Sequence, residues 1–461
     1  MMLFDTVAAI STPYGKGGVA LIRISGERAI EIASKVFRAS SGKRLCEQEH
    51  AKLCRGGIYR RYGEEEICID DGMAAVFFAP HSFTGEDVVE INCHGGILVT
   101  RSVLEAVLEA GARMADAGEF TRRAFVNGKM KLTQAEALGY LLDAENENQL
   151  LLSRGGMRGA LSEKTSLLYG ELVDVMGSIY AKIDFPDEDL NELSRDEMRE
   201  AVERVRCSVL DLSETYRTGR AVNEGIRTAI CGHTNVGKSS IYNRIVGRDA
   251  AIVTDIEGTT RDLLTETVSF GGVTLRLCDT AGLRETEDVV ESIGIKRAKD
   301  ELEKCELVFA VFDSAELTED DKTFYEDLIS KGKKVIALYN KSDIFDYTAH
   351  NLPDIFEKKI FVSADTGEGF ETLKKLVGDM YIDGTISLYS DAVVMDERQY
   401  SSLVLAHEAL ERALATIDAG MSLDVCSVDI EAALSELGEL DGREVGEDVV
   451  ANIFKRFCVG K

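Results

Sequence analysis

Gly232-His233-Thr234-Asn235-Val236-Gly237-Lys238-Ser239 has the spacing G-x-x-x-x-G-K-[ST]. Thr228-Ala229-Ile230-Cys231 before it reads as a short buried strand, and Ser240 to Val246 after it as the start of a helix. That strand–loop–helix context is what a phosphate-cradling P-loop requires. Gly232 and Gly237 let the backbone wrap, so that successive N–H groups face phosphate oxygens. The helix N-terminus adds partial positive charge. In this arrangement Lys238 reaches the β- and γ-phosphates and the Ser239 hydroxyl sits on Mg²⁺. The expected phosphate-binding residues are Asn235, Val236, Gly237, Lys238, Ser239 and Ser240. The expected fold around them is a doubly wound α/β domain.

A P-loop does not choose between adenine and guanine; Asn340-Lys341-Ser342-Asp343 does. It follows Lys334 to Tyr339, an apolar run that reads as a buried parallel strand. The Asp343 carboxylate can accept from the guanine N1–H and exocyclic amine, donors that adenine lacks. The Asn340 amide can reach the base edge, and the Lys341 stem can cover the ring. Ser363-Ala364-Asp365, after Ile360-Phe361-Val362, has the form of a second guanine-contacting loop. In this order after a P-loop, the two motifs predict GTP.

The hydrolytic parts lie between. Asp279-Thr280-Ala281-Gly282 follows the alternating strand Val273 to Cys278. Asp279 is expected to hold Mg²⁺ through water, and the Gly282 N–H to meet the γ-phosphate. Gly258-Thr259-Thr260-Arg261-Asp262 reads as switch I, with Thr260 as the second hydroxyl on Mg²⁺. Leu283 stands where many GTPases place a water-orienting glutamine, and its side chain cannot orient water. Glu291 is the leading candidate for that task; the alternative is one acid among many on a solvated helix. Asn235 puts a side-chain oxygen inside the phosphate loop, where a monovalent cation is the fitting partner. Thr254, Ile256 and Thr259, within the nucleotide-contacting run Thr254-Asp255-Ile256-Glu257-Gly258-Thr259, can add oxygens. A K⁺ site replacing an arginine finger is therefore expected.

The chain has 461 residues, enough for two or three domains, and its 45% hydrophobic content is ordinary for a globular protein. No apolar run reaches membrane-spanning length, and the N-terminus lacks signal-peptide form. The ten cysteines include no Cys-x-x-Cys pair, so neither a zinc ribbon nor a disulfide framework is indicated. A cytoplasmic protein with no membrane partner is expected. The net charge of −28 opposes binding nucleic acid through the bulk surface. Arg122-Arg123 and Lys129 to Lys131 form a short basic stretch that can serve locally.

Residues 1–118 read as a small α+β domain. Its strands are Thr6 to Ser11, Val19 to Ile24, Gly57 to Arg60, Met73 to Phe78 and Val88 to Asn92; its helices are Glu27 to Phe37 and Gly96 to Gly111. The turn 12–18 is glycine-rich but weak as a phosphate motif. Arg23 and Glu90 sit inside apolar strands, where a charge is costly unless paired or bound to ligand; both readings stand. Residues 119–217 read as helical, with one apolar helix from Leu150 to Ile183 and a capping box at Ser194 opening another to Tyr216. Thr218 to Gly225 reads as a linker. The P-loop domain spans 222–380, and 384–461 is helical again. Helical blocks on both sides of one α/β domain suggest that this domain is inserted in the helical one. The apolar ending Ile453 to Lys461 fits a docked tail; Cys458 is a poor match to a prenylation box.

These residues together resemble the MnmE (TrmE) family of tRNA-modification GTPases over essentially the whole chain. The resemblance rests on Asp5 to Pro13, Gly17-Gly18-Val19, Arg23 to Gly26, Ser82 to Asp87, His94-Gly95-Gly96, Gly118 to Thr121, Ala124 to Lys129, the nucleotide motifs and the Phe457 to Lys461 ending. It implies a homodimer through a tetrahydrofolate-binding N-terminal domain. It further implies a partnership with the FAD protein MnmG and addition of an aminomethyl or carboxymethylaminomethyl group to C5 of the wobble uridine of certain tRNAs. The one-carbon unit would come from 5,10-methylenetetrahydrofolate or 5-formyltetrahydrofolate. The tRNA would be held mostly through MnmG. By resemblance, Arg23, Glu90, Lys129 and Lys461 bind the folate. Asn235, Thr254, Ile256 and Thr259 hold K⁺, Ser239 and Thr260 hold Mg²⁺, Glu291 orients water, and Cys458 matches the terminal cysteine. His233-Thr234 departs from a common proline, and Val459 from a common isoleucine. Competing expectations are a ribosome-assembly GTPase, which would need a basic RNA-binding appendage, and a regulatory GTP switch without modification chemistry.

Overall fold

The computed structural model describes residues 5–184, 193–249, 265–278, 302–443, 446–455, 457 and 459–460. The chain divides into two compact units, 1–139 with 434–461, and 140–433. The expected class holds: an α+β N-terminal part, helices, and a doubly wound P-loop sheet.

In the first unit, seven strands form one sheet. They are β1 (Val7–Ile10), β2 (Val19–Ser25), β3 (Phe37–Ala39), β4 (Cys54–Tyr62), β5 (Glu65–Phe77), β6 (Val88–His94) and β7 (Arg113–Met114), in the order β3-β4-β5-β6-β2-β1-β7. All neighbours are antiparallel except β1 and β7. Alternation decides the faces. Ala20, Ile22 and Ile24 of β2 point into the core beneath helices Ala29–Val36 and Ile97–Glu109. Val7 and Ala9 of β1 point the other way, onto Ala115 and Phe120.

The chain's ending belongs to this unit. Helix Glu447–Phe454 packs Val450 and Phe454, together with Phe457, on Leu132 and Ala135. Val459 then bridges to Ala117, and the Ser11 hydroxyl donates to the Gly460 carbonyl at 2.8 Å. Gly460 has φ 102°, and a Cβ there would lie 2.0 Å from the Ile10 carbonyl oxygen. Glycine alone fits both constraints. Gly460→Ala is expected to undock the tail, seen as faster trimming by carboxypeptidase; an unchanged trimming rate would contradict this contact.

The second unit holds six strands: β8 (Ile226–Cys231), β9 (Thr265–Phe270), β10 (Val273–Cys278), β11 (Leu307–Phe312), β12 (Lys334–Tyr339) and β13 (Lys358–Phe361). Their order is β13-β12-β11-β8-β10-β9; all pairs are parallel except the β9–β10 hairpin. Phe309, Val311, Ile336 and Leu338 face one core, and Val308, Ala310, Ala337 and Tyr339 the other. Two-sided burial explains why these strands read as apolar runs rather than alternations.

Four expectations shift. The helix from Leu150 to Ile183 is two helices, Glu147–Arg158 and Ala160–Asp184, broken at Gly159 in left-handed backbone (φ 87°). The expected linker 218–225 is mostly the helix Tyr216–Asn223, with Thr218, Gly219, Ala221 and Val222 buried. It packs so closely that a Cβ on Gly219 would meet the Val394 carbonyl oxygen. β5 begins eight residues before Met73, because its first half is a polar hairpin arm whose apolar signal is weak. Phe37 ends its helix by turning into β3.

Candidate nucleotide and ligand sites

In a doubly wound sheet, ligands sit beyond the carboxyl ends of the parallel strands. The P-loop leaves β8, Asn340 follows β12, and Ser363 comes two residues after β13. The topology thus gathers motifs more than a hundred residues apart at one sheet edge.

The P-loop backbone is in the wrapped form. Gly232, Asn235 and Gly237 have φ of 151°, 66° and 97°. Asparagine is among the few residues that accept left-handed backbone, so Asn235 holds the turn while leaving its amide exposed. The helix Lys238–Asp249 begins at the expected lysine, with Ser239 exposed in its first turn. Lys238 Nζ donates to the His233 carbonyl at 2.6 Å, spanning its own loop. A phosphate would exchange that neutral acceptor for a charged one, a stronger bond.

Asn340 is 3% exposed and its amide is the tie among the loops. Its Nδ2 donates to the Val236 carbonyl at 2.9 Å, and its Oδ1 accepts from the Ala364 N–H at 3.1 Å. The side chain expected to touch the base therefore fastens the P-loop to the Ser363-Ala364-Asp365 loop, with one N–H and one lone pair left over. Tyr347 Oη donates to the Asn340 carbonyl at 2.6 Å, fixing the brace from behind. Lys341, at φ 63°, pairs with Asp313 at 2.8 Å. Asp343 is exposed. Ser363 Oγ accepts from the Thr366 N–H at 3.1 Å, closing the last loop. His233, at the variable P-loop position, pairs with Asp321 at 2.8 Å. No spacing pattern in the sequence announced that contact.

Thr254, Asp255, Ile256, Glu257, Gly258, Thr259, Thr260, Asp279, Thr280, Ala281, Gly282 and Glu291 lie outside the described residues, as do Cys458 and Lys461.

In the first unit, Arg23 and Glu90 face each other across β2 and β6. They form an ion pair of 2.8 Å, each side chain about one-fifth exposed (19% and 20%). The internal-pair reading is thus realised, on the sheet face away from helices Ala29–Val36 and Ile97–Glu109. The Arg23 guanidinium also lies 5.3 Å from the Phe83 ring centre and 5.5 Å from that of Phe120. A partly exposed cation–carboxylate pair beside the exposed Phe83 ring is suited to a flat, hydrogen-bonding heterocycle, while Phe120 is buried and backs the guanidinium from the core. Phe83 and Phe120 come from separate segments, and no residue spacing marked them as neighbours of Arg23. Lys129 Nζ is exposed and donates to the Pro80 carbonyl at 2.9 Å. The Asn127 amide donates to the Thr84 carbonyl at 2.7 Å, locking segments 80–86 and 127–129 together. The glycine-rich turn 12–18 instead lines a separate cavity of about 270 Å³ with Ile10, Ala20, Ile97 and Thr100. Among the described residues, no three His, Cys, Asp or Glu side chains cluster as a metal site, and no helix is long and apolar enough to cross a membrane.

Comparison with known proteins covers the same ground. A family model described as "MnmE helical domain" matches residues 132–458, and one described as "GTP-binding protein TrmE N-terminus" matches residues 6–129. A protein named tRNA modification GTPase MnmE from Ligilactobacillus salivarius is 38% identical over 465 residues, covering 99% of this chain and 98% of that one. Its namesake from Clostridioides difficile is 37% identical over 472 residues, with both chains covered in full. Among solved structures, an Era variant from Aquifex aeolicus bound to GDP and aluminium fluoride aligns at 21% identity and a TM-score of 0.27. It covers 40% of this chain and 66% of that one, a likeness too low to add to the argument.

Proposed function

This chain belongs to the MnmE family of tRNA modification GTPases, and from that premise we propose a K⁺- and Mg²⁺-dependent GTP hydrolase that works with MnmG on the wobble uridine of tRNA. The observation that carries the nucleotide part is the Asn340 amide, which joins the P-loop to the Ser363-Ala364-Asp365 loop. That fastening sets the phosphate cradle and the guanine-reading loops at a fixed spacing, and exposed Asp343 supplies the discrimination against adenine.

Ser239 and Thr260 would hold Mg²⁺; Asn235, Thr254, Ile256 and Thr259 would hold K⁺. Together these ions would neutralise charge on the phosphates. The exposed amide of Asn235 and the exposed Ser239 fit those roles. Lys238 leaves the His233 carbonyl for the β- and γ-phosphates. Glu291 orients the attacking water, since Leu283 cannot.

In the N-terminal part, Arg23, Glu90, Lys129 and Lys461 would bind the tetrahydrofolate one-carbon donor, 5,10-methylene- or 5-formyltetrahydrofolate. The Arg23–Glu90 pair and the exposed Phe83 ring beside it support this reading. Glu90 accepts from the N–H groups of the pterin, the exposed Phe83 offers a ring face, and the two lysines answer the glutamate tail. We place the chain in the cytoplasm as a homodimer through this part, with MnmG carrying most of the tRNA contact because this chain is strongly acidic. Cys458 remains a candidate for the modification chemistry itself.

The function is tested by nucleoside analysis of tRNA from cells lacking the chain. Loss of the C5 modification at the wobble uridine is expected; intact modification would overturn the assignment. Folate binding is tested separately. Glu90→Ala removes a charge-assisted partner, a loss of about 1.5–3 kcal/mol, or roughly 10- to 100-fold in 5-formyltetrahydrofolate affinity. Unchanged affinity would remove Glu90 from the site.

A further inference from the structure

We propose that Cys278 and Cys305 form a redox modification site, a dithiol that closes reversibly to a disulfide and thereby slows the nucleotide cycle. The two sulfurs lie 3.5 Å apart. Both residues are buried, Cys305 completely and Cys278 at 8% exposure, in a small apolar cluster with Ala229 of β8. Leu302 and Cys231, the latter directly before Gly232 of the P-loop, pack against the same cluster.

The location gives the pair its consequence. Cys278 is the last residue of β10, paired in register with Ala229, and the next residue in the chain is Asp279, the expected Mg²⁺-side carboxylate. Cys305 is anchored by its N–H to the Leu302 carbonyl. Its neighbour Glu306 bonds through N–H to the Arg227 carbonyl of β8 and pairs with Arg220. A disulfide needs the sulfurs at about 2.05 Å, so closure brings them roughly 1.5 Å closer; with Cys305 held by its backbone bonds, we assign that movement to the end of β10. Misplacement on that scale in a reacting site costs roughly 10²-fold.

The oxidant is a small peroxide. One thiolate attacks a peroxide oxygen, giving a sulfenic acid and hydroxide. The second thiol displaces the sulfenic oxygen as water, forming the S–S bond. In sum, two thiol hydrogens and two electrons pass to hydrogen peroxide, which leaves as two waters. A thiol reductant reverses the change by exchange. In a reducing compartment such a bond is transient and regulatory rather than structural. Among the other cysteines, Cys46, Cys68 and Cys207 are exposed, and Cys93 is buried with its thiol pushed up to about 11, chiefly by burial. Neither group offers a buried, pre-paired partner.

The rate effect rests on the reading of this unit as a GTPase; the bond itself does not. Full-length protein is treated with hydrogen peroxide, quenched by alkylation and mapped by mass spectrometry without reduction, with GTP turnover measured in parallel. The expected result is a Cys278–Cys305 linked peptide and turnover lowered by roughly 10²-fold, both reversed by dithiothreitol. Cys305→Ala is expected to keep the untreated rate and lose the peroxide response, and Cys278→Ala to lose the link likewise. Oxidation of Cys46, Cys68 or Cys207 without the 278–305 link overturns the site. A link that forms with turnover unchanged overturns its regulatory role. A protein with no turnover before treatment would instead indict the GTPase reading.

Discussion

Gly237→Ala is expected to weaken GTP binding by roughly 100-fold or more. A Cβ at this position would lie 2.1 Å from Asn340 Nδ2, and the backbone φ of 97° belongs to glycine. Holding a non-glycine residue there costs about 1–3 kcal/mol. Moving the Asn340 amide leaves the buried Val236 carbonyl without its donor, a further loss of about 1–3 kcal/mol. About 3 kcal/mol in total corresponds to roughly 100-fold in Kd. Titration with a fluorescent guanine nucleotide measures it. Without nucleotide the loop escapes this strain by leaving its wrapped form, which binding must restore, so thermal unfolding without nucleotide should change less than affinity does. An affinity within threefold of the parent, which is about 0.7 kcal/mol, would show that the Asn340 tie does not set the cradle.

Arg123→Met is expected to destabilise the N-terminal unit by about 3–5 kcal/mol, the usual cost of stripping one partner from a buried charge cluster. The Arg123 side chain is fully buried. Its guanidinium donates to Glu119 and to Asp5 Oδ1 at 2.8 Å, to the Asp5 carbonyl at 2.9 Å, and to Glu86 at 3.1 Å. Glu86 in turn accepts from the Ser25 hydroxyl at 2.7 Å. Burial pushes the Glu119 carboxyl up, but Arg113, the Asp116 N–H and Arg123 outweigh it and hold it below its ordinary value. The Arg113 hydrogen bond likewise holds Asp5 low, against burial and with help from Arg123. Depressed carboxyls contribute stability that is present above their unfolded values, about 3.9 and 4.3. It is lost as pH falls through the folded values. Chemical denaturation followed from pH 7 to pH 3 should show the parent losing stability only below about pH 4, and the variant starting lower with its acid limb moved upward. Arg123→Lys keeps the charge and should recover part of the loss. Equal stability of Met variant and parent would contradict the cluster's role.

The nucleotide half of the molecule was legible because its chemistry is local. A P-loop, a guanine motif and their flanking strands each occupy a few consecutive residues, and parallel strands buried on both faces read as plain apolar runs. The finer assembly was not local. Asn340 could be read as a base contact, but its use as a brace depends on Val236 and Ala364, which only the strand order brings near it. The Arg23–Glu90 pair could be suspected from two charges in apolar strands. Phe83 and Phe120 could not, because one ring comes from a loop and the other from the helix Glu119–Val126, far apart in sequence. Residues 218–225 read as a linker because Gly219 and the polar residues hide the buried face of the helix Tyr216–Asn223. The break at Gly159 leaves no mark in the sequence, because apolar spacing runs on across it. Asn146 and Gln149 donate to Thr274 Oγ1 at 3.0 and 3.1 Å, and Asn148 to the Gly272 carbonyl at 2.8 Å. These bonds tie a helix start to the β9–β10 hairpin through polar side chains that no hydrophobic pattern reports.

The central claim is a GTP hydrolase whose phosphate loop uses a potassium ion at Asn235. Phosphate release by the purified chain, measured with GTP and with ATP in matched KCl and NaCl, tests it most directly. The account predicts turnover of GTP and not ATP, markedly faster in KCl, with the K⁺ advantage lost in Asn235→Ala. Equal GTP rates in the two salts, or hydrolysis of ATP as fast as GTP, would contradict it.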